Sequence, residues 1–235
     1  MDLRFVLVHN PTLGPATWAP AAAALRAQGR DALLPPLTGL ADAGPPYWLH
    51  VVRSVTASID AVAGDDPLVL VAHGGAGLLV PALVANMPRD VAACLFVDAT
   101  VPVREGWMPV TAPDVLPFLR ARSERGRLPP WTQWWDPADA TALFPDERTR
   151  ALVEQQEPRL PLAYFEEAVP APAGWDQRPC GYLWFSPTFG PAADQARERG
   201  WSVSHLPGSH LHQLADPDAV ARRLAALAGE ILAPG

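Results

Sequence analysis

The stretch Leu68-Val-Leu-Val-Ala-His-Gly-Gly-Ala-Gly77 decides the fold of this 235-residue chain. Its first four residues are all apolar, which is typical of a strand buried on both faces of a parallel sheet. The small residues at 72–77 predict a sharp turn, because small side chains let the backbone pack closely on its neighbours. The apolar residues from Gly77 to Asn86 predict a helix. The order is therefore strand, tight turn and helix.

The same order recurs along most of the chain. Further short apolar strands are predicted at 5–8, 32–34, 93–97, 181–185 and 202–205. Helices are predicted at 19–28, 47–62, 191–199 and 217–232, the last with Asp216 as its N-cap. Alternating strands and helices predict one α/β domain, built on a mostly parallel sheet with helices on both faces.

Residues 101–175 interrupt this alternation. They are rich in proline and tryptophan, carry helical fragments and show no strand of the alternating kind. We predict a helical lid or cap inserted into a core formed by residues 1–100 and 176–235.

Composition limits the kind of partner. The net charge is −7, all 18 basic residues are arginine, and there is no basic run, which argues against a nucleic-acid partner. No segment approaches the roughly 18 apolar residues of a membrane span, and the run at 5–8 is too short for a signal peptide. Cys94 and Cys180 lack metal-ligand spacing and are expected to be buried, reduced thiols. We expect a cytoplasmic protein that acts on a small molecule without a cofactor or metal. Monomer and homodimer both remain open.

The turn after the central strand has the shape of a nucleophile elbow. Such elbows follow G-x-S-x-G, whereas this turn reads Ala72-His-Gly-Gly-Ala76, with Gly74 where serine belongs. The elbow forces its central residue to positive φ, which costs serine about 1–2 kcal/mol and glycine little. A phosphate-binding loop is the alternative, but neither a downstream lysine nor G-x-G-x-x-G is present. No other serine follows a strand in an elbow.

Three segments together resemble the α/β-hydrolase superfamily, in its esterase and hydroxynitrile-lyase branch. Residues 8–18 are similar to the oxyanion segment H-G-x-x-x-G-x-x-W, residues 72–77 to the elbow G-H-S-x-G-G, and residues 206–218 to the loop of the catalytic histidine. The chain is most similar to actinobacterial hydrolase-like proteins whose elbow reads His-Ser-Gly-Ala-Gly. The resemblance implies an α/β-hydrolase fold with a lid.

The resemblance also implies site residues. It places His210 at the catalytic base, although an exposed loop histidine is the alternative. The acid stays open between Asp98, Asp194 and no acid at all. Asp98 ends a buried strand, and a buried carboxylate there would need a partner such as His210.

The oxyanion site departs from the family. Gly75 can supply one backbone N–H, but the residue that matches the second donor is Pro11, which has none. The side-chain amide of Asn10 could donate instead.

The remaining pocket candidates are aromatic or histidine. Trp107, Trp131, Trp134 and Trp135 form either an apolar ligand cavity or the lid's own small core. His73 and His212 are placed at the pocket wall, with a packed turn residue as the alternative for His73.

Three functions follow. The first is an enzyme of lyase, cyclase or isomerase type, suited to secondary metabolism, in which His210 performs acid–base chemistry on a small apolar carbonyl compound. The second is a serine esterase or lactonase inactivated at position 74, by design or by natural decay. The third is a protein that binds a ligand without catalysis.

Overall fold

The computed structural model describes residues 3–233. Its strands, numbered along the chain, are β1 (Arg4–Val8), β2 (Asp31–Leu33), β3 (Leu68–His73), β4 (Val91–Val97), β5 (Gly106–Pro109), β6 (Ala168–Ala171), β7 (Cys180–Trp184) and β8 (Ser202–His205). Six of them form one sheet in the order β2-β1-β3-β4-β7-β8, and every neighbouring pair is parallel. The predicted parallel sheet is confirmed.

Ten α-helices accompany these strands in the described residues. They are α1 (Ala19–Ala27), α2 (Tyr47–Asp60), α3 (Val80–Asn86), α4 (Leu116–Arg122), α5 (Pro137–Ala142), α6 (Glu147–Glu154), α7 (Leu162–Glu166), α8 (Gly190–Glu198), α9 (His212–Ala215) and α10 (Pro217–Leu232). Asp216 caps α10 as predicted, because its carboxylate accepts from the amide N–H of Ala219 at 2.9 Å. The helix predicted from Gly77 begins later: Gly74–Leu79 is a tighter 3₁₀ turn, and α3 starts at Val80.

Alternate residues of the central strands enter two separate cores. In β3, Val69 and Val71 pack with α1 and α10 on one face, whereas Leu68 and Leu70 pack with α2, α3 and α8 on the other. Both faces are covered, which explains why the strand is apolar from Leu68 to Ala72. Cys94 and Cys180 are both buried and free on the neighbouring strands β4 and β7.

Residues 101–175 contain more than helices. They hold α4 to α7, but β5 and β6 also pair there as an antiparallel ribbon. The prediction that this segment has no strand is therefore wrong. The two strands are about 60 residues apart and include Pro109 and Pro170, so they give no local alternating signal. Glu167 joins the segment to the core, because its carboxylate accepts from the amides of Tyr47 and Trp48, both at 2.9 Å, at the start of α2.

None of the helices between residues 3 and 233 combines the length and hydrophobicity that a membrane crossing requires.

Candidate active site

The loops that follow the sheet strands bring polar residues to one edge of the sheet. The carboxyl ends of parallel strands share an edge, and ligand sites of such sheets lie there. In this chain Asn10 follows β1, Gly74 follows β3, Asp98 follows β4, Ser186 follows β7 and His210 follows β8.

Asp98 is the buried anchor of the site, with 0% of its surface exposed. Its Oδ1 accepts from the backbone amides of Phe185 at 2.9 Å and Ser186 at 3.0 Å, and its Oδ2 accepts from the Ser186 hydroxyl at 2.6 Å. The same Oδ2 lies 2.9 Å from Nδ1 of His210. Burial by itself raises the pKa of the carboxyl, but the hydrogen bonds and charge of His210 and the bonds from Ser186 outweigh it. The pKa therefore lies below its ordinary value, and Asp98 is a carboxylate at neutral pH.

His210 is held by hydrogen bonds and by ring packing. Because a carboxylate only accepts, Nδ1 of His210 carries the proton of the bond to Asp98, and Nε2 of the neutral ring keeps a free lone pair. The ring lies between two others: Phe189 stacks on it at 4.8 Å between centroids and 8° between planes, and His73 at 4.4 Å and 27°.

His73 also fixes the backbone of the loop that carries His210. Its Nε2 donates to the carbonyl oxygen of His210 at 2.8 Å. Burial, together with the charge of the nearby His210, lowers the pKa of His73 to about 3. His73 is therefore a neutral, fully buried support beneath the His210 ring.

Gly74 faces the free nitrogen of His210. Its φ is +57°, in the left-handed region that favours glycine. A Cβ placed on Gly74 would lie 3.2 Å from His210 Nε2 and 2.9 Å from Asn10 Nδ2. The amide of Asn10 is oriented by its own Oδ1, which accepts from the amide of Thr12 at 3.2 Å and from the Thr12 hydroxyl at 3.1 Å. An imidazole acceptor and an amide donor thus meet where a side chain at position 74 would stand.

Two adjoining chambers open onto this point. The first chamber has a volume of about 430 Å³ and the second about 330 Å³. Both are bordered by Asn10, Gly75, Trp131, Trp135 and Phe189. The first also reaches Gly74, Asp139, Leu143, Thr188 and His210. Beyond the shared residues the second is lined mainly by apolar and aromatic side chains, among them Leu78, Val110, Phe118, Leu119, Trp134, Tyr164 and Phe165, together with Thr12, Thr100 and Thr111. The residues of the strand-end loops that line or support these chambers are called the core side. Those from residues 101–175 are called the segment side.

The structure brings most of the predicted site residues together. Asn10, Gly74, Gly75 and His210 line the first chamber, with Asp98 directly behind His210. Trp131, Trp134 and Trp135 line one or both chambers. Of the two candidate acids, Asp98 contacts the histidine, whereas Asp194 pairs with Arg197 at 2.6 Å on the exposed face of α8.

Four predicted pocket residues lie elsewhere. Trp107 is on β5 and is 64% exposed. Pro11 borders a separate cavity of about 350 Å³ with His9 and Leu13. His73 is buried beneath His210, and His212 packs edge-on against Phe185 at 5.4 Å. Pro11, His73 and His212 adjoin chamber or site candidates in sequence, but neighbouring residues point to different sides of a strand or turn. Trp107 shared only its aromatic character with the tryptophans of the cavity.

Several residues of the site were missed. Ser186, Thr188 and Phe189 lie after β7, where a search for a carboxylate alone finds nothing. Ser186 donates two hydrogen bonds to Asp98. Thr188 lines the first chamber, and Phe189 stacks on His210. Asp139 gave no signal, because an aspartate in the first turn of a short helix is common on protein surfaces. No group of three or more histidine, cysteine and acidic residues within 3–233 is arranged to hold a metal ion.

Comparisons with known proteins agree with this fold. The sequence pattern of the alpha/beta hydrolase family matches residues 5–223. A carbendazim hydrolyzing esterase of Nocardioides sp. (strain SG-4G) is 27% identical over 254 residues, which cover 95% of this chain and 99% of that protein. Among solved structures, an extracellular alpha/beta-hydrolase from a Paenibacillus species is similar with a TM-score of 0.72 and 18% identity, over 98% of this chain and 99% of that one.

A mutant of tomato methylketone synthase I is similar with a TM-score of 0.72 and 14% identity, over 98% of this chain and 99% of that one. At these identities the two solved structures show a shared fold, and the family pattern covers nearly all of the strands and helices described above. The chain belongs to the alpha/beta hydrolase family.

Proposed function

We propose that this chain is an enzyme that uses the hydrolase cavity without a covalent serine intermediate. Its chemistry would be proton transfer on a small, largely apolar carbonyl compound, of the lyase, cyclase or isomerase type. One observation carries the proposal: Nε2 of His210 and Nδ2 of Asn10 converge on the space beside residue 74, and that residue is glycine, with no oxygen to attack a substrate.

Each residue has a role in this chemistry. His210 Nε2 takes a proton from the carbon next to the substrate carbonyl, and the electron pair of that C–H bond moves onto the carbonyl oxygen as an enolate. Asp98 stabilises the resulting imidazolium through the bond to Nδ1. The amide of Asn10 and the N–H of Gly75 would bind the enolate oxygen, since Pro11 cannot donate. The proton then returns to another atom, or the enolate expels a leaving group.

The second candidate is a serine hydrolase that has lost its serine, and the relationship to a carbendazim hydrolyzing esterase favours it. The surroundings of Gly74 count against a site that differs from a serine hydrolase only in the missing serine side chain. A Cβ there would lie 2.9 Å from Asn10 Nδ2, too close for a carbon atom, and Asn10 is held by two bonds to Thr12. The space of a nucleophile is therefore partly taken by an amide donor.

Exchange of carbon-bound protons with solvent tests the proposal directly. We expect the protein to accelerate deuterium incorporation next to the carbonyl of 4-phenylbutan-2-one in D₂O, followed by NMR. His210→Ala should slow this exchange about 10²–10⁴-fold, as is usual for loss of a general base, and Asn10→Ala should slow it less. Trp107→Ala is the control, because Trp107 lines neither chamber.

Two results would contradict the proposal. Exchange that is equally fast with His210→Ala would remove the base, and would leave a ligand-binding protein as the better description. A covalent acyl adduct of the unmodified protein, seen by intact mass after incubation with an aryl ester, would show that another nucleophile operates.

A further inference from the structure

The first chamber is lined by one carboxylate and by no arginine. Asp139, an exposed residue of α5, lies at the rim of this chamber, and among residues 3–233 it forms no ion pair with an arginine. The other ionisable side chain in the lining is His210, which must be neutral to act as a base. The fixed charge that faces a ligand in this chamber is therefore negative.

The chamber also presents aromatic rings in several orientations. Trp131 and Trp135 pack edge-to-face, with their centroids 5.8 Å apart and their planes at 72°, so they present ring surfaces in two orientations to the chamber. Phe189 and Trp131 both adjoin His210, at 4.8 and 6.3 Å between centroids. Trp135 is 44% exposed and open to an entering ligand. Aromatic faces attract cations, tryptophan most strongly, and the attraction grows where water is excluded.

The second chamber offers a different environment. Beyond the shared residues its lining carries no ionisable group except the phenol of Tyr164. The guanidinium of Arg122 is near but covers the ring of Phe118, 3.5 Å from its centroid, and does not line the chamber. The second chamber therefore suits an uncharged, largely apolar group, with threonine hydroxyls at Thr12, Thr100 and Thr111.

We propose that the substrate carries an alkylated ammonium group, which binds in the first chamber against Asp139 and the rings of Trp131, Trp135 and Phe189. The apolar end of the same molecule occupies the second chamber. Both chambers border Asn10 and Gly75, so the carbonyl lies at their junction. A carboxylate-bearing substrate is disfavoured, because it would face Asp139 with no arginine to balance it. The position of the carbonyl rests on the proposed function, whereas the ammonium site does not.

A pair of ketones that differ only in charge tests this inference. The cation is (4-oxopentyl)trimethylammonium, and its neutral isostere is 6,6-dimethylheptan-2-one. Binding is measured by tryptophan fluorescence and calorimetry with the His210→Ala protein, so that no turnover intervenes. We expect the cation to bind about fivefold or more tightly than the isostere, the scale of a cation–π contact with a nearby carboxylate.

Matched variants locate the preference. Asp139→Asn and Trp135→Leu, each added to His210→Ala, should reduce the preference to about twofold or less. Asp60→Asn removes the same charge from the exposed end of α2 and should leave it unchanged, which controls for general attraction to a protein of net charge −7.

The outcomes separate this inference from the proposed function. Equal binding of the two ketones, or a preference that survives both Asp139→Asn and Trp135→Leu, would overturn the ammonium site. Either result could occur while His210-dependent exchange is intact. Conversely, loss of that exchange with the binding preference retained would overturn the proposed function alone.

Discussion

The two sides of the cavity are held together by different forces. On the core side, Asp98 has no exposed surface, and its carboxylate accepts four hydrogen bonds from three residues. On the segment side, aromatic rings pack on one another, Trp134 on Phe165 at 5.5 Å for example, and one buried carboxylate oxygen of Glu157 has no hydrogen-bond partner among the described residues.

This difference separates chemistry from recognition. A fully paired carboxylate fixes the His210 ring in one orientation and one tautomer, as proton transfer requires. Aromatic packing fixes a shape but few directions, as binding of a largely apolar molecule requires. The core side therefore supplies the reacting groups in our proposal, and the segment side supplies the selectivity.

The largest effect should come from removing the anchor of the core side. Asp98→Ala leaves two backbone amides, the Ser186 hydroxyl and His210 Nδ1 without their acceptor in a buried place. We expect the free energy of unfolding to fall by about 3–5 kcal/mol, the cost of breaking a buried, hydrogen-bonded pair. Urea unfolding measures it. Asp194→Ala, which removes an exposed ion pair, should change it by no more than about 0.5 kcal/mol.

Strongly acid pH should remove the stability difference between Asp98→Ala and the unmodified protein that depends on the charge of Asp98. The pKa of Asp98 is lowered in the folded protein, so its stabilisation is present above the carboxyl pKa of the unfolded chain, about 3.9. It is lost as the pH falls through the lower pKa of the folded state. The difference in the free energy of unfolding between Asp98→Ala and the unmodified protein should therefore shrink at strongly acid pH. If it is as large there as at pH 7, the charge of Asp98 is unimportant.

The next effect tests whether Gly74 and Asn10 are fitted to each other. Gly74→Ala should cost about 1–3 kcal/mol, because alanine is strained at positive φ and its Cβ meets Asn10 Nδ2. In an Asn10→Ala background the contact is absent, so the same substitution should cost about 1 kcal/mol less. A double-mutant cycle by urea unfolding gives the coupling. Costs that simply add would show that Asn10 does not occupy the space beside position 74.

Gly74 and Asn10 also distinguish the proposed acid–base enzyme from a serine hydrolase that has lost its serine. Gly74→Ser alone should hydrolyse p-nitrophenyl acetate poorly, because Asn10 Nδ2 crowds the new side chain, and removing Asn10 would also remove an oxyanion donor. If Gly74→Ser alone restores full esterase activity, the chain is better described as a hydrolase that lacks only its serine.

Sequence reasoning located the core side more completely than the segment side, where it found Trp131, Trp134 and Trp135 but missed the ribbon. Buried parallel strands are apolar along their length, which predicted the sheet, and the resemblance of residues 8–18, 72–77 and 206–218 to the hydrolase family implied that Asn10, Gly74 and His210 belong to one site. The ribbon of β5 and β6 depends on contacts between distant residues and left no local pattern. Trp107 and Trp131 are both tryptophans of the same proline- and tryptophan-rich segment, so the sequence does not distinguish them. Trp107 is exposed on the ribbon, whereas Trp131 lines the cavity.

A smaller effect should appear on the segment side as a dependence on pH. Burial raises the pKa of Glu157 to about 7, although the hydroxyl and amide of Thr132 partly oppose this. The folded protein therefore holds this proton more tightly than the unfolded chain. Stability should fall as the pH rises from about 4.5 to about 7, by about 1 kcal/mol after allowance for partial exposure. Glu157→Gln should flatten this slope in urea unfolding, whereas the exposed Glu198→Gln should not.

The smallest effect should come from the outer face of the segment. Trp107 is 64% exposed on β5 and borders neither chamber, so Trp107→Ala should change the free energy of unfolding by no more than about 0.5 kcal/mol. It should also leave the binding of both ketones unchanged, whereas Trp135→Leu weakens binding of the cation. A loss of ketone binding with Trp107→Ala would mean that the ribbon moves onto the cavity when a ligand enters. The segment side would then be a mobile cover, and the division between a rigid core side and a fixed aromatic wall would have to be abandoned.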